Sequence, residues 1–305
     1  MLVFVTGAAG YIGRAVVQEL LSHGHQVLGL ARNDANAETL TKAGATPHHG
    51  DLEDIESLKR GAKKADGVIH LAFIHNFEDF VHSCTADTAA IEAMGEVLAG
   101  TGKPLVIASG TMGCPKGVLA TEDTEPERNT PFGMRALSAD AVYRISKEKG
   151  VRGSVIRLPP TTHGEEDKGM IPSIVGMLAK KGTLVYIGDG ENRWPTVHRL
   201  DAAVLFRLAL EKGTAGATYN AVAEQGVPMK RIMEVAGKRL QLPVESSSAE
   251  DVVKGIGLFG HILGADNPTS GEKTQRELGW APKQIELLED LQANYFDGKS
   301  AAKYQ

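Results

Sequence analysis

Three glycines spaced three apart, Gly7, Gly10 and Gly13, follow a short apolar run over residues 2–6 and open a stretch of helical period. Each has a use at that spacing. Gly7 permits a tight turn off a strand, Gly10 lets backbone approach a pyrophosphate, and Gly13 lets a helix sit against a sheet. The helix end then points free N–H groups and a partial positive charge at the phosphates. Thr6, Gly7, Gly10, Tyr11, Ile12, Gly13 and Arg14 are therefore the expected dinucleotide-binding loop. The next strand should end beside the adenosine ribose. A chain that takes NAD usually places a carboxylate there, whereas this one reads Leu30-Ala31-Arg32-Asn33. Arg32 offers a guanidinium to a 2′-phosphate, with Arg14 a second candidate, so NADP(H) is the expected cofactor. Two histidines, His75 and His163, are of the side-chain type that exchanges protons near neutrality. The plainer reading of each is a surface or hydrogen-bonded loop residue.

The elements that must position these residues follow a regular rhythm. Strands are expected at 2–6, 26–30, 45–48, 67–71, 104–108 and 153–157. Helices are expected at 11–23, 54–64, within 79–100, and at 132–149. Such alternation is that of a parallel sheet covered by helices. Beyond Pro159 the rhythm breaks, with a helix at 171–181 and an extended run at 184–187. The expectation is an α/β, doubly wound parallel sheet (a Rossmann fold) with a smaller C-terminal substrate lobe. Residues 1–164 would form the dinucleotide-binding domain and 165–305 mainly the lobe, returning to the sheet near 197–222. A chain of 305 residues exceeds one ordinary core, which fits this division. The net charge of −5 and pI near 6.1 argue against nucleic-acid or acidic-membrane partners. Only two cysteines occur, too few for a disulfide framework or zinc cluster. No metal is expected. The first apolar run is too short for a signal peptide or membrane span. A cytoplasmic protein acting on a small molecule is the expectation, and a homodimer is left open.

Taken together, Thr6-Gly7-x-x-Gly10-x-x-Gly13 and several later segments resemble the extended short-chain dehydrogenase/reductase family. By that resemblance Asp51-Leu52 contacts the adenine, and His70-Leu71-Ala72 lies along the cofactor. Arg157-Leu-Pro159-Pro160 passes the nicotinamide. Val197-His198-Arg-Leu-Asp201 resembles a second-half signature of the family. The family commonly uses a Ser or Thr with a Tyr-x-x-x-Lys pair. The resemblance implies a hydroxyl just beyond the fifth strand, either Ser109 or Thr111, with register favouring Thr111.

A literal Tyr143-Arg-Ile-Ser-Lys147 is present, but Tyr143 stands only fourteen residues (157 − 143) before Arg157. The family pattern needs roughly two dozen. Counting back puts Phe132 at the tyrosine position and Ala136 at the lysine position. Tyr143 would then lie eleven residues (143 − 132) further along the helix, about 16 Å away. The chain thus resembles the atypical branch, in which His-x-x-x-Arg replaces that pair; Arg135 fits the arginine and Pro131 stands at the histidine position. Thr111 and Arg135 are expected to hold the reacting oxygen, with His163, another histidine or water completing proton transfer. Phe73, His75, Arg193 and Trp194 are expected to face substrate, although Trp194 is equally suited to the lobe core. The implied activity is NADPH-dependent reduction of a carbonyl or conjugated alkene of a small, fairly apolar metabolite. A family isomerase, epimerase or lyase, and a non-catalytic NADP(H) sensor, are the alternatives.

Overall fold

The computed structural model describes residues 1–76 and 78–296; the last part of the expected lobe, 297–305, lies outside them. The first half alternates strand and helix: β1 Leu2–Thr6, α1 Tyr11–Ser22, β2 Gln26–Ala31, α2 Asp34–Lys42, β3 Thr46–His49, α3 Ile55–Lys64, β4 Gly67–His70, α4 Phe80–Leu98 and β5 Pro104–Gly110. Two 3₁₀ turns, Thr111–Gly113 and Pro131–Arg135, then lead to α5 Ala136–Lys149 and β6 Arg152–Leu158. The second half runs β7 Thr161–His163, α6 Met170–Ala179, β8 Leu184–Ile187, β9 Arg193–His198, α7 Arg199–Lys212 and β10 Ala217–Asn220. It continues with β11 Glu224–Pro228, α8 Met229–Leu240, β12 Val244–Ser247, α9 Ala249–Ile256, α10 Leu258–Leu263, α11 Glu272–Leu278 and α12 Leu287–Asn294.

Seven strands form one parallel sheet in the order β10-β6-β5-β4-β1-β2-β3. This is the doubly wound arrangement, and its order reverses between β1 and β4, where such sheets bind ligands beyond their strand ends. The strands are short apolar runs because both faces are covered. On one face Val16, Val17 and Leu20 of α1 pack with Leu205, Phe206 and Leu210 of α7. On the other, Leu58 of α3, Ile91 and Met94 of α4 and Val142 and Ile145 of α5 pack together. A third core, built around Trp194, Ile174, Ile232 and Leu291, belongs to the lobe. There β11, β9 and β7 form one small sheet, and β12 pairs with β8.

Several boundaries differ from the sequence reading. The helix α2 was not expected; Asn33 begins it by accepting the N–H of Asn36 at 2.9 Å. The fifth helix starts with a 3₁₀ turn, capped where the Thr130 side chain accepts the N–H of Gly133. The small sheet already begins at β7, before residue 164, and α7 and β10 then rejoin the main sheet. No helix among the described residues is long and apolar enough to cross a membrane.

Candidate active site

The phosphate loop has the shape of a cradle. Gly7 adopts φ +66°, and a Cβ there would lie 2.8 Å from the backbone of Leu71 and Ala72. A Cβ on Gly13 would lie 2.0 Å from the Gly7 carbonyl oxygen. Gly10 begins α1 in extended conformation with no side chain capping the helix, and no acidic residue occupies the first turn. The first-turn N–H groups are thus left for an anion, the arrangement that takes a pyrophosphate. Asp51 spends one carboxylate oxygen on the N–H groups of Glu53 and Asp54, at 2.8 and 2.9 Å. Its Oδ2 has no partner among the described residues, and Leu52 packs into the core. Pro159 and Pro160 follow directly on β6. These residues fit a bound dinucleotide.

The two arginines near this loop differ. Arg14, the second candidate for the 2′-phosphate, is engaged at the surface by Glu166, from the turn after β7. Arg32 is exposed and has no ion-pair or hydrogen-bond partner among the described residues.

Beneath the loop runs a buried polar chain that the sequence did not announce. The Thr6 hydroxyl accepts the N–H groups of Leu71 and Ala72, both at 3.2 Å, and donates to His70 Nδ1 at 2.7 Å. His70 Nε2–H in turn donates to Asp87 at 3.1 Å. The second oxygen of Asp87 accepts from the Arg135 guanidinium at 2.9 Å and from the Ser138 hydroxyl. Burial pushes the Asp87 carboxyl up, but the Arg135 charge and the His70 and Ser138 hydrogen bonds outweigh it and hold it below the usual range. Arg135 also donates to the Ala108 carbonyl at 2.8 Å, and its guanidinium lies 4.0 Å from the Phe73 ring centroid.

This corrects the expected roles of two residues. Thr111 is fully buried, and its hydroxyl donates to Asn267 Oδ1 at 2.8 Å while Asn267 Nδ2 donates back to the Thr111 carbonyl. It ties the loop after β5 to the lobe instead of holding a substrate oxygen. Arg135 is the counter-ion of a buried carboxylate, so its charge is already matched. Ser109, part-exposed at the end of β5, is the hydroxyl there with no partner among the described residues.

Around that strand end the surface is aromatic. Phe73 packs edge-on against His75 and Phe80, and Phe80 against Phe132, with centroid separations of 5.4 to 6.1 Å. Packing and the neighbouring Arg135 charge hold the His75 imidazole below its ordinary range. Phe132 occupies the position where register would place a catalytic tyrosine. Tyr143, by contrast, hydrogen-bonds Thr218, whose strand partner Val155 lies in the middle of β6. We therefore expect Tyr143→Phe to leave turnover of a reduced substrate within about a few-fold. Loss of a true general acid costs about 10²–10⁴-fold; a collapse of that size with folding and cofactor binding intact would restore Tyr143 to the reaction.

Three more expectations are corrected by the lobe. Trp194 is fully buried in the third core, its indole N–H donating to the Ala265 carbonyl at 3.0 Å, so it is not a substrate wall. Arg193 makes two bonds to Asp266 at the lobe surface, at 3.2 and 3.0 Å. Together they fix the segment from which Asn267 reaches Thr111. His163 is 1% exposed and bonded to Asp290 at 2.7 Å, so it is not free to serve a substrate. Burial raises the Asp290 carboxyl, but His163 and Asn294 outweigh that and keep it low. Nearby, Tyr295 donates to Asp167 or to the Gly164 carbonyl, at 2.8 and 3.0 Å, and accepts the Gly164 N–H. Burial pushes Asp167 up to about 6, against the Gly169 N–H and the Tyr295 hydroxyl, which lower it.

With this geometry in hand, the chain can be set beside known proteins. The model of the NAD dependent epimerase/dehydratase family matches residues 3–222. The chain belongs to that family. It is an oxidoreductase of the extended short-chain dehydrogenase/reductase type, in a family of enzymes that bind a nicotinamide dinucleotide. An uncharacterized protein of Schizosaccharomyces pombe is 46% identical over 97% of this chain and all of its own length. The decarboxylating sterol-4-alpha-carboxylate 3-dehydrogenase of Dictyostelium discoideum is 31% identical over 69% of this chain and 68% of its own. Among solved structures, the dTDP-glucose 4,6-dehydratase of Streptomyces venezuelae, with NAD bound, superposes with a TM-score of 0.78. It is 23% identical and covers 97% of this chain and 96% of its own.

Proposed function

We propose that this family member is an NADPH-dependent reductase acting on a carbonyl or conjugated alkene of a small, fairly apolar metabolite. One observation carries the cofactor choice: β2 ends in Ala31 with no carboxylate, and the exposed Arg32, unpaired among the described residues, follows. The aromatic surface of Phe73, Phe80 and Phe132 at the ends of β4 and β5 supports an apolar substrate. The relative from Dictyostelium, a dehydrogenase by name, supports redox chemistry over isomerisation.

In this reading the N–H groups of the first turn of α1 hold the pyrophosphate, and Arg32 holds the 2′-phosphate. Asp51 Oδ2 accepts from the adenine amino group. Bound NADPH supplies a hydride. Ser109 donates a hydrogen bond to the substrate oxygen as negative charge develops on it. Serine does not release a proton readily near neutrality, and the His75 imidazole, held below its ordinary range, carries none to give there, so the proton reaches the product from water. Phe73, Phe80 and Phe132 exclude water from the reacting face.

The test is an NADPH-oxidation screen over ketones, enones and imines. We expect Arg32→Asp to weaken NADPH binding by about 1.5–3 kcal/mol, the scale of losing a charge-assisted contact. Binding titrations of both cofactors check this, and equal affinity of the wild type for NADPH and NADH would reject it.

A further inference from the structure

The cofactor sheet ends, at its β3 edge, in two adjacent histidines with different surroundings. His48 is buried; its Nε2 bonds the Ser57 carbonyl at 2.8 Å, and its ring packs edge-on against Phe4. Side chains alternate along a strand, so His49 turns to the other face. It is exposed and has no partner among the described residues. The parallel register sets His49 beside Ala31, the residue where an NAD-binding chain would carry its carboxylate. Neighbouring strands lie about 4.8 Å apart. The strand ends are held together beyond that pair, because the Gly50 N–H donates to the Ala31 carbonyl at 3.2 Å. Gly50 itself is confined: its φ is +156°, and a Cβ there would lie 2.1 Å from the Ser57 hydroxyl. Arg32 and His49 are thus two exposed side chains at adjacent strand ends, neither with a partner among the described residues. The carboxylates nearest in sequence are Asp34, in the first turn of α2, and Asp51, with one oxygen occupied by its own turn. The remaining cation of α2, Lys42, is paired with Glu38.

We propose that His49 is a second contact for the adenosine 2′-phosphate, and so a determinant of NADP(H) over NAD(H). This rests on the NADPH reading above. An imidazole presents a ring N–H to an anion in either protonation state. With the Arg32 fork it would meet the phosphate from the two adjacent strand ends.

The test uses NADP⁺ and NAD⁺, which differ by that phosphate alone, titrated calorimetrically into the intact protein at low ionic strength. The readout is the ratio of the two affinities. We expect a wild-type ratio of about tenfold or more in favour of NADP⁺. His49→Gln should reduce that ratio about three- to tenfold with NAD⁺ affinity unchanged, and His49→Glu should reduce it further. Lys42→Gln should leave it unaltered. A wild-type ratio near one would overturn the NADPH reading and this contact with it. A high wild-type ratio that collapses in Arg32→Gln but holds within about twofold in both His49 variants would overturn the contact alone. So would an equal loss in Lys42→Gln, which would mark a diffuse field instead of a contact.

Discussion

The Arg135→Met variant is expected to lose about 3–5 kcal/mol of stability, the cost of leaving a buried charge without its partner. Methionine preserves much of the packing of the arginine stem, so the loss reports the charge. Asp87 is 1% exposed and the Arg135 side chain 16% exposed, which sets this pair apart from a surface ion pair worth less than about 1 kcal/mol. The remaining donors to Asp87 are His70 and Ser138. Adding Asp87→Asn should recover part of the loss, because the amide oxygen can still accept from His70, the amide NH2 can donate to the Ser138 hydroxyl oxygen, and no charge remains to be matched. Urea unfolding of the wild type, both single variants and the double variant closes the cycle. A loss below about 1 kcal/mol in Arg135→Met, or strict additivity in the double variant, would remove the pair from the account of stability.

The second expected result is a change in pH dependence on replacing Asp167. Its carboxyl titrates near 6 in the folded protein and near 4 in an unfolded chain. Between those values the unfolded chain has released a proton that the native state still holds. Stability therefore falls as pH rises from about 4 to about 6, and the loss is complete above the folded value. Two pKa units correspond to at most about 3 kcal/mol. An asparagine can keep the oxygen that accepts the Gly169 N–H and can direct its amide toward the Tyr295 hydroxyl, which then donates to Gly164. Asp167→Asn should consequently be more stable than wild type by about 1.5–3 kcal/mol at neutral pH, and equal to it near pH 4. The low carboxyls of Asp87 and Asp290 act in the opposite sense. They are common to both proteins and cancel in the difference. A wild-type-to-variant difference that stays constant between about pH 4 and 7 would show that Asp167 does not titrate in this way.

The sheet and its phosphate loop were legible because each rests on local information. Strand runs, helical period and glycines at fixed offsets all lie within a dozen residues of each other. The mispositioned Tyr143 was also legible, since residue counting along one helix and one strand suffices. What stayed hidden depends on pairings far apart in the chain. Thr111 looks like a hydroxyl beyond β5 until Asn267, 156 residues away, accepts its hydrogen bond. His163 looks like a loop acid until Asp290 meets it from α12. One signal was within reach: Asp87 stands at helical spacing between Cys84 and Ile91 on the buried stripe of α4. A carboxylate in that stripe requires a buried partner. His70, at the end of a fully buried strand, was one candidate in the sequence.

The last strand of the main sheet, β10, is laid down only after the chain has passed through β7, α6, β8 and β9. Its pairing of Ala217 with Ser154 closes a loop of 63 residues, a long-range closure of the kind that slows folding. During synthesis, a nascent chain that has emerged only as far as β6 would present the β6 edge and the α1 surface without β10 or α7. That intermediate is exposed to wrong pairing while the ribosome completes the next sixty or so residues. The same chain order has an evolutionary side. Most of the lobe hangs between and beyond strands whose positions it does not determine, so its loops can change in length and composition while the cofactor sheet stays as it is.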